Sequence, residues 1–170
     1  MTRAALSIAL LIALSACKAE PSPAEQERRD KRDIAQVEAA QKAKPPPQAI
    51  TPEPISEADI VANDLYGAGC AFILPDAVDR MPILLSNSKR AVFKLNGRIV
   101  ALASDPGGEQ FPLGSWGHYL GARYALKIDK AAGAGVTIGE ELTRWAASVT
   151  VRDAWDQIVY RRDGALECGS

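Results

Sequence analysis

YLGARYALKID, residues 119–129, alternates side chains one by one: Leu120, Ala122, Tyr124, Leu126 and Ile128 fall on one face, Arg123, Lys127 and Asp129 on the other. A period of two is the mark of a strand with one buried face. RWAASVTVR, residues 144–152, repeats it, with Trp145, Ala147, Val149 and Val151 set against Arg144, Ser148, Thr150 and Arg152. Outward from these, residues 91–95 and 98–102 flank Asn96-Gly97, and residues 157–162 and 165–168 flank Asp163-Gly164. Both pairs suit a type I′ turn, whose two central residues take positive φ, and so predict two hairpins. Residues 70–74 and 81–85 extend the pattern, and about seven strands are expected in about 100 residues. The pattern predicts a mainly β fold, a small antiparallel β-barrel or sandwich. SEADIVANDL, residues 56–65, has Ser56 as a candidate N-cap and Asp59 at the third helical position, which predicts one short helix leading into it.

Residues 1–16 have the layout of a secretory signal: Arg3, then an apolar centre of Leu6, Ile8, Leu10, Leu11, Ile12 and Leu14, then small residues. The apolar stretch is shorter than the roughly 20 residues a membrane span needs. Leu14-Ser15-Ala16-Cys17 closes it and resembles the lipobox of bacterial lipoproteins. The resemblance implies cleavage between Ala16 and Cys17 and acylation of the Cys17 thiol and amine, palmitate being one such chain. Two or more chains anchor a protein stably where one does not. In that class an Asp after the cysteine marks retention in the inner membrane; Lys18 stands here, which implies the periplasmic face of the outer membrane.

With Cys17 committed to lipid, Cys70 and Cys168 are the only other cysteines, and an oxidising periplasm predicts that they pair. There is no CxxC, and His118 is the only histidine, so a redox or metal-binding pair lacks companions. A bridge between the first and last strands makes closure of the sheet the simpler picture.

Between the signal and the β region the composition changes. Residues 17–55 are rich in Ala, Glu, Lys, Arg, Gln and Pro, with almost nothing to bury, and read as a lipidated tether. Residues 24–44, free of Gly and Pro, predict a solvated helix with pairs such as Glu27 and Lys31. Pro45-Pro46-Pro47 ends it, and Pro52 and Pro54 favour an extended spacer. The expected domains are thus 1–16 signal, 17–55 tether and 56–170 disulfide-closed β domain.

Charge excludes nucleic acid as a partner: the formal net charge is −1, and no basic block stands apart from acids. Gly133, Gly135 and Gly139 lack the βαβ unit of a dinucleotide loop and read as a hairpin connection. Ser115 and His118 with Asp105 or Asp129 have the residue types of a triad, but a lone histidine beside Trp116 and Tyr119 reads better as a strand-end residue. Asp153/Asp156 and Glu140/Glu141 lie beside turns and lack calcium-loop spacing. No cofactor, no metal and no catalysis are expected.

Gly121-Ala122-Arg123-Tyr124, in a chain with Cys70, a hairpin at Leu95, Gly97 and Leu102, and a closing Cys168, resembles the membrane-bound inhibitors of c-type lysozyme. Those are small β-barrel lipoproteins in which a Ser-Gly-Ala-Arg-Tyr loop enters the lysozyme's catalytic cleft. The resemblance implies a partner-binding surface at Gly121, Arg123 and Tyr124, with Trp116 and His118 nearby. Leu120 stands where that family has the serine, and the Phe/Trp-x-Lys-Gly segment is missing. The expected function is a non-enzymatic binding or envelope-interaction module, attached to the membrane through Cys17. Its partner is a cell-envelope component or a lysozyme-like protein.

Overall fold

The computed structural model describes residues 21–170. The expected signal segment 1–16 and the expected lipidation site Cys17 lie outside the described residues. The chain divides at Pro45/Pro46 into two units.

In the first unit α1 (Pro23–Lys42) occupies the segment expected at 24–44. Pro23 opens it, where a missing N–H costs nothing. The N–H and hydroxyl of Ser22 both donate to the Glu25 carboxylate at 3.0 Å, and this bonding, backbone first, holds the Glu25 pKa below its ordinary value. No residue of α1 is buried. Its helicity rests on residue propensity, the cap and pairs such as Lys31 with Glu27 at 2.7 Å.

The second unit is a barrel. After α2 (Glu57–Ala62) come β1 (Gly69–Ile73), β2 (Leu84–Ser86), β3 (Arg90–Leu95), β4 (Arg98–Ser104), β5 (His118–Leu120), β6 (Tyr124–Lys130), β7 (Val136–Ile138), β8 (Leu142–Asp153) and β9 (Ile158–Gly169). Each strand pairs antiparallel with the next through β6, then β6 pairs with β8, β8 with β9, and β9 returns to β1. Eight strands therefore close a circle, and β7 lies against the near end of β8. Cys70 and Cys168 face each other across the closing β1–β9 seam and are joined by a disulfide.

A barrel of this strand number has an interior just wide enough for side chains to fill it. Strand register supplies them in rows. Val100, Phe93, Leu84, Phe72, Leu166 and Trp145 are successive partners across six strands. Tyr119, Leu126 and Val151 continue the packing on β5, β6 and β8. Trp145, Ala147, Val149 and Val151 are all buried, as the alternation in 144–152 predicts.

Ser56 caps α2: its hydroxyl accepts from the Asp59 N–H, and Asp59 accepts in return from the Ser56 N–H and hydroxyl. Asp59 also accepts from Lys94 Nζ at 2.9 Å, which fastens α2 to β3. Asn96 and Gly97 both take positive φ, 51° and 71°, between β3 and β4, as a type I′ turn requires. Gly133, Gly135 and Gly139 sit in the strand connections beside β7, with no helix opening at them.

Besides β2, found at Leu84–Ser86 rather than 81–85, and the added β7, the structure differs from the sequence reading at three places. The tether ends earlier than residue 55: residues 46–55 belong to the barrel unit. Ile50 N–H bonds the Val159 carbonyl, Glu53 N–H the Lys94 carbonyl and Ile55 N–H the Pro82 carbonyl, and Pro52 and Ile55 are buried. The proline-rich segment thus bonds carbonyls of β9, of β3 and of the β1–β2 connection.

The stretch 119–129 is two strands, with a turn at residues 121–123. Burial therefore changes parity within it: Tyr119 is fully buried, Leu120 is exposed, and Leu126 and Ile128 are buried. Lastly, Asp163-Gly164 makes no hairpin; β9 runs through both residues. A Cβ on Gly164 would come within 2.5 Å of the Ile73 carbonyl oxygen and 2.8 Å of Phe72 Cζ. The glycine is there because β1 and the Phe72 ring approach it closely, a role glycine also has within strands.

Candidate functional site

The β5–β6 hairpin ends in a two-residue loop, Ala122-Arg123, closed by Gly121 N–H donating to the Tyr124 carbonyl at 2.9 Å. Gly121, Ala122 and Arg123 are exposed. Tyr124 turns inward and meets the Phe93 ring edge-on at 5.7 Å, so the tip is anchored in the core on its last residue. The Arg123 guanidinium lies 5.6 Å from the Tyr124 ring centre, a cation–π contact that restrains the long side chain.

Tyr124 pairs with Asp153, which sets the β8–β9 turn beside this tip. Asp153 holds that turn by accepting from the N–H groups of Trp155 and Gln157, both at 2.9 Å. Trp155 is half exposed there. Behind the two tips the register runs Leu120, Ala125, Arg152, Ile158 across the outer wall, and Leu120 and Ile158 are exposed. Arg123, Leu120, Trp155 and Ile158 thus belong to neighbouring elements at one end of the barrel.

Trp116 and His118 belong elsewhere. They lie at the far end of β5 from the tip, where the connection from β4 arrives. Trp116 packs against the core and its N–H donates to the Tyr119 hydroxyl at 2.8 Å. His118 alternates with inward-facing Tyr119 and so faces out, under the turn at Gly108, where an added Cβ would come within 3.0 Å of the histidine Cβ. Ser115 is fully buried, and its hydroxyl shares hydrogen bonds with Ser86 at 2.8 Å and Tyr119 at 2.9 Å. Ser115 and His118 therefore stand on opposite sides of the barrel wall and form no nucleophile–base pair. The Tyr119 hydroxyl in turn donates to the Asn87 carbonyl at 2.8 Å, so this interior network is satisfied. Among the described residues, no three of His, Cys, Asp and Glu gather as a metal site.

A further cluster lies on the outer wall. Glu167 of β9 faces outward yet its side chain is 8% exposed, because Arg144 of β8 and Arg80 of the β1–β2 connection both bond its Oε1, Arg144 through Nε at 2.5 Å. Beside it a groove of about 380 Å³ is lined by both arginines and by apolar residues of β1, β8 and β9.

The family described as "Domain of unknown function (DUF6692)" matches residues 13–142, well over half of the chain. The chain belongs to that family. The stretch matched to DUF6692 takes in residues 14–17, the strap at 46–55 and the whole β5–β6 tip. It ends at Leu142, the first residue of β8, so Trp155, Glu167 and Cys168 fall beyond it. No curated protein and no solved structure matches the chain.

Of the five residues expected to make a partner surface, the fold gathers Gly121 and Arg123 at an exposed tip, makes Tyr124 its anchor, and sets Trp116 and His118 apart. The sequence reading missed Arg80, Arg144 and Glu167 altogether. The one available signal was Glu167 in outward register between apolar Leu166 and Cys168, a position where an acid beside the closing seam needs a cationic neighbour.

Proposed function

We propose that this protein is a bacterial lipoprotein, held through acylated Cys17 at the periplasmic face of the outer membrane, whose barrel is a non-enzymatic binding module for another component of the cell envelope. The lipobox at Leu14-Ser15-Ala16-Cys17, followed by Lys18, supports the anchor and its address. One observation carries the binding mode: side chains fill the barrel interior, with Phe72, Phe93, Leu102, Tyr119 and Leu166 at most 2% exposed. A filled barrel has no ligand chamber, so recognition falls to its outside. The hairpin tips at one end offer Arg123, Leu120, Trp155 and Ile158 together, a cation among apolar and aromatic side chains, which is the composition of contact surfaces.

The anchor is tested by metabolic labelling with a palmitate analogue. The reading expects label on the wild-type protein and none on the Cys17→Ser variant, which should move to the soluble fraction; label retained by that variant would refute it.

A second reading, an inhibitor of c-type lysozyme, is favoured by the position of Gly121-Ala122-Arg123. These residues stand on an exposed turn, the form in which a short loop enters an acidic cleft. It predicts that micromolar protein slows cell-wall lysis by a c-type lysozyme and that Arg123→Ala abolishes the effect without unfolding the barrel. Unchanged lysis with the wild-type protein removes this reading and leaves the first intact.

A further inference from the structure

Two guanidinium groups share one carboxylate on the barrel's outer wall. Arg80 and Arg144 both bond Oε1 of Glu167, leaving the trio with one surplus positive charge. Arg144 spends its Nε and Arg80 one Nη on this contact, and each planar fork carries five N–H donors, so several remain. Neither cation is sealed off: their side chains are 57% and 36% exposed. Arg80 is also held in an unusual way, since it and Asp79 take φ of 54° and 50°, left-handed values that bulky residues adopt only where their surroundings hold them.

The groove of about 380 Å³ that both arginines line continues over Ile73, Leu74, Pro75, Ala77 and Ala165. That volume lies in the range of small-ligand sites, apolar with a few fixed polar groups. We propose that this groove binds a single-chain amphiphile ending in a carboxylate, a fatty carboxylate, with the headgroup between Arg80 and Arg144 and the chain along the apolar wall. One surplus charge matches a monoanion. The guanidinium forks suit a planar carboxylate, which takes two parallel N–H bonds. In the unliganded protein the Glu167 carboxylate takes part of the same donor set, so it both positions the arginines and competes with the ligand. This site is separate from the hairpin tips and does not depend on the partner read there.

Calorimetric titration of the full chain with decanoate tests the proposal, with decanol as the chain without charge and acetate as the charge without chain. Decanoate should bind saturably and at least tenfold more tightly than either. Arg144→Gln should weaken decanoate binding about tenfold. Glu167→Gln should tighten it about threefold or more, because both guanidiniums are then left to the ligand. A purely structural ion trio gives no such gain. Decanol binding as tight as decanoate, no saturable decanoate binding, or Glu167→Gln folded with unchanged affinity would each overturn the proposal. If Glu167→Gln does not fold, the comparison of wild type with Arg144→Gln decides it, equal affinity being the contrary result.

Discussion

Gly164 and Asp59 show how single residues are fixed by neighbours far away in the chain. Gly164 leaves room for the Ile73 carbonyl and the Phe72 ring, both under 3 Å from where a Cβ would stand. Backbone cannot yield as a flexible side chain can, so Gly164→Ala should lower stability by about 1–3 kcal/mol, the usual cost of overpacking, read as a shifted denaturation midpoint. Asp59 accepts from Lys94 and from the hydroxyl and N–H of Ser56, bonds that hold its pKa at about 2 against an ordinary 3.8. A depressed carboxylate contributes stability in full above its unfolded pKa and loses it as pH falls through the folded one. The α2–β3 contact should therefore be intact at pH 4 and above and be lost on approach to pH 2. The carboxyl resonance of Asp59, followed by NMR across that range, should have its midpoint near pH 2; a midpoint near 3.8 would deny the Lys94 and Ser56 bonds.

Among elements, the closing seam matters most. β1 and β9 are separated by almost the whole barrel sequence, and the Cys70–Cys168 bridge spans 98 residues. A loop of that size constrains the unfolded chain by about 4.7 kcal/mol in the entropic account, so replacing both cysteines by serine should cost about 2–5 kcal/mol, measured by denaturant unfolding. Elements were legible from sequence wherever one face is buried along the whole strand, as in β8, where Trp145, Ala147, Val149 and Val151 are all buried, Thr150 being the one residue of the other face buried with them. The turn at Gly121 was hidden inside 119–129 because its residues keep the two-residue period by chance, Ala122 standing for an apolar position that is in fact exposed. Asp163-Gly164 misled in the opposite sense. A pair that signals a turn locally serves here for a close approach that only tertiary packing defines. The strap at 46–55 has a spacer's composition, yet its N–H groups at Ile50, Glu53 and Ile55 bond carbonyls of β9, β3 and the β1–β2 connection, a tertiary fit that composition does not encode. The Arg80–Glu167 contact joins residues 87 apart in the chain, and its only local trace is the acid at 167 between Leu166 and Cys168, which does not name its partner.

On the scale of the whole molecule, a solvated helix and a packed barrel divide the work by composition. α1 buries nothing, while the barrel buries its aromatic and branched residues within a closed sheet and leaves a cation and apolar side chains at its hairpin tips. An anchor at Cys17 would present those tips to a partner in the envelope. Site-specific photocrosslinking in intact cells, with the crosslinker at position 123, tests this most directly. A discrete adduct is expected from position 123, and it should be lost when Cys17→Ser removes the anchor. No adduct from position 123, with adducts instead from Leu113, exposed in the β4–β5 connection at the opposite end of the barrel, would contradict it.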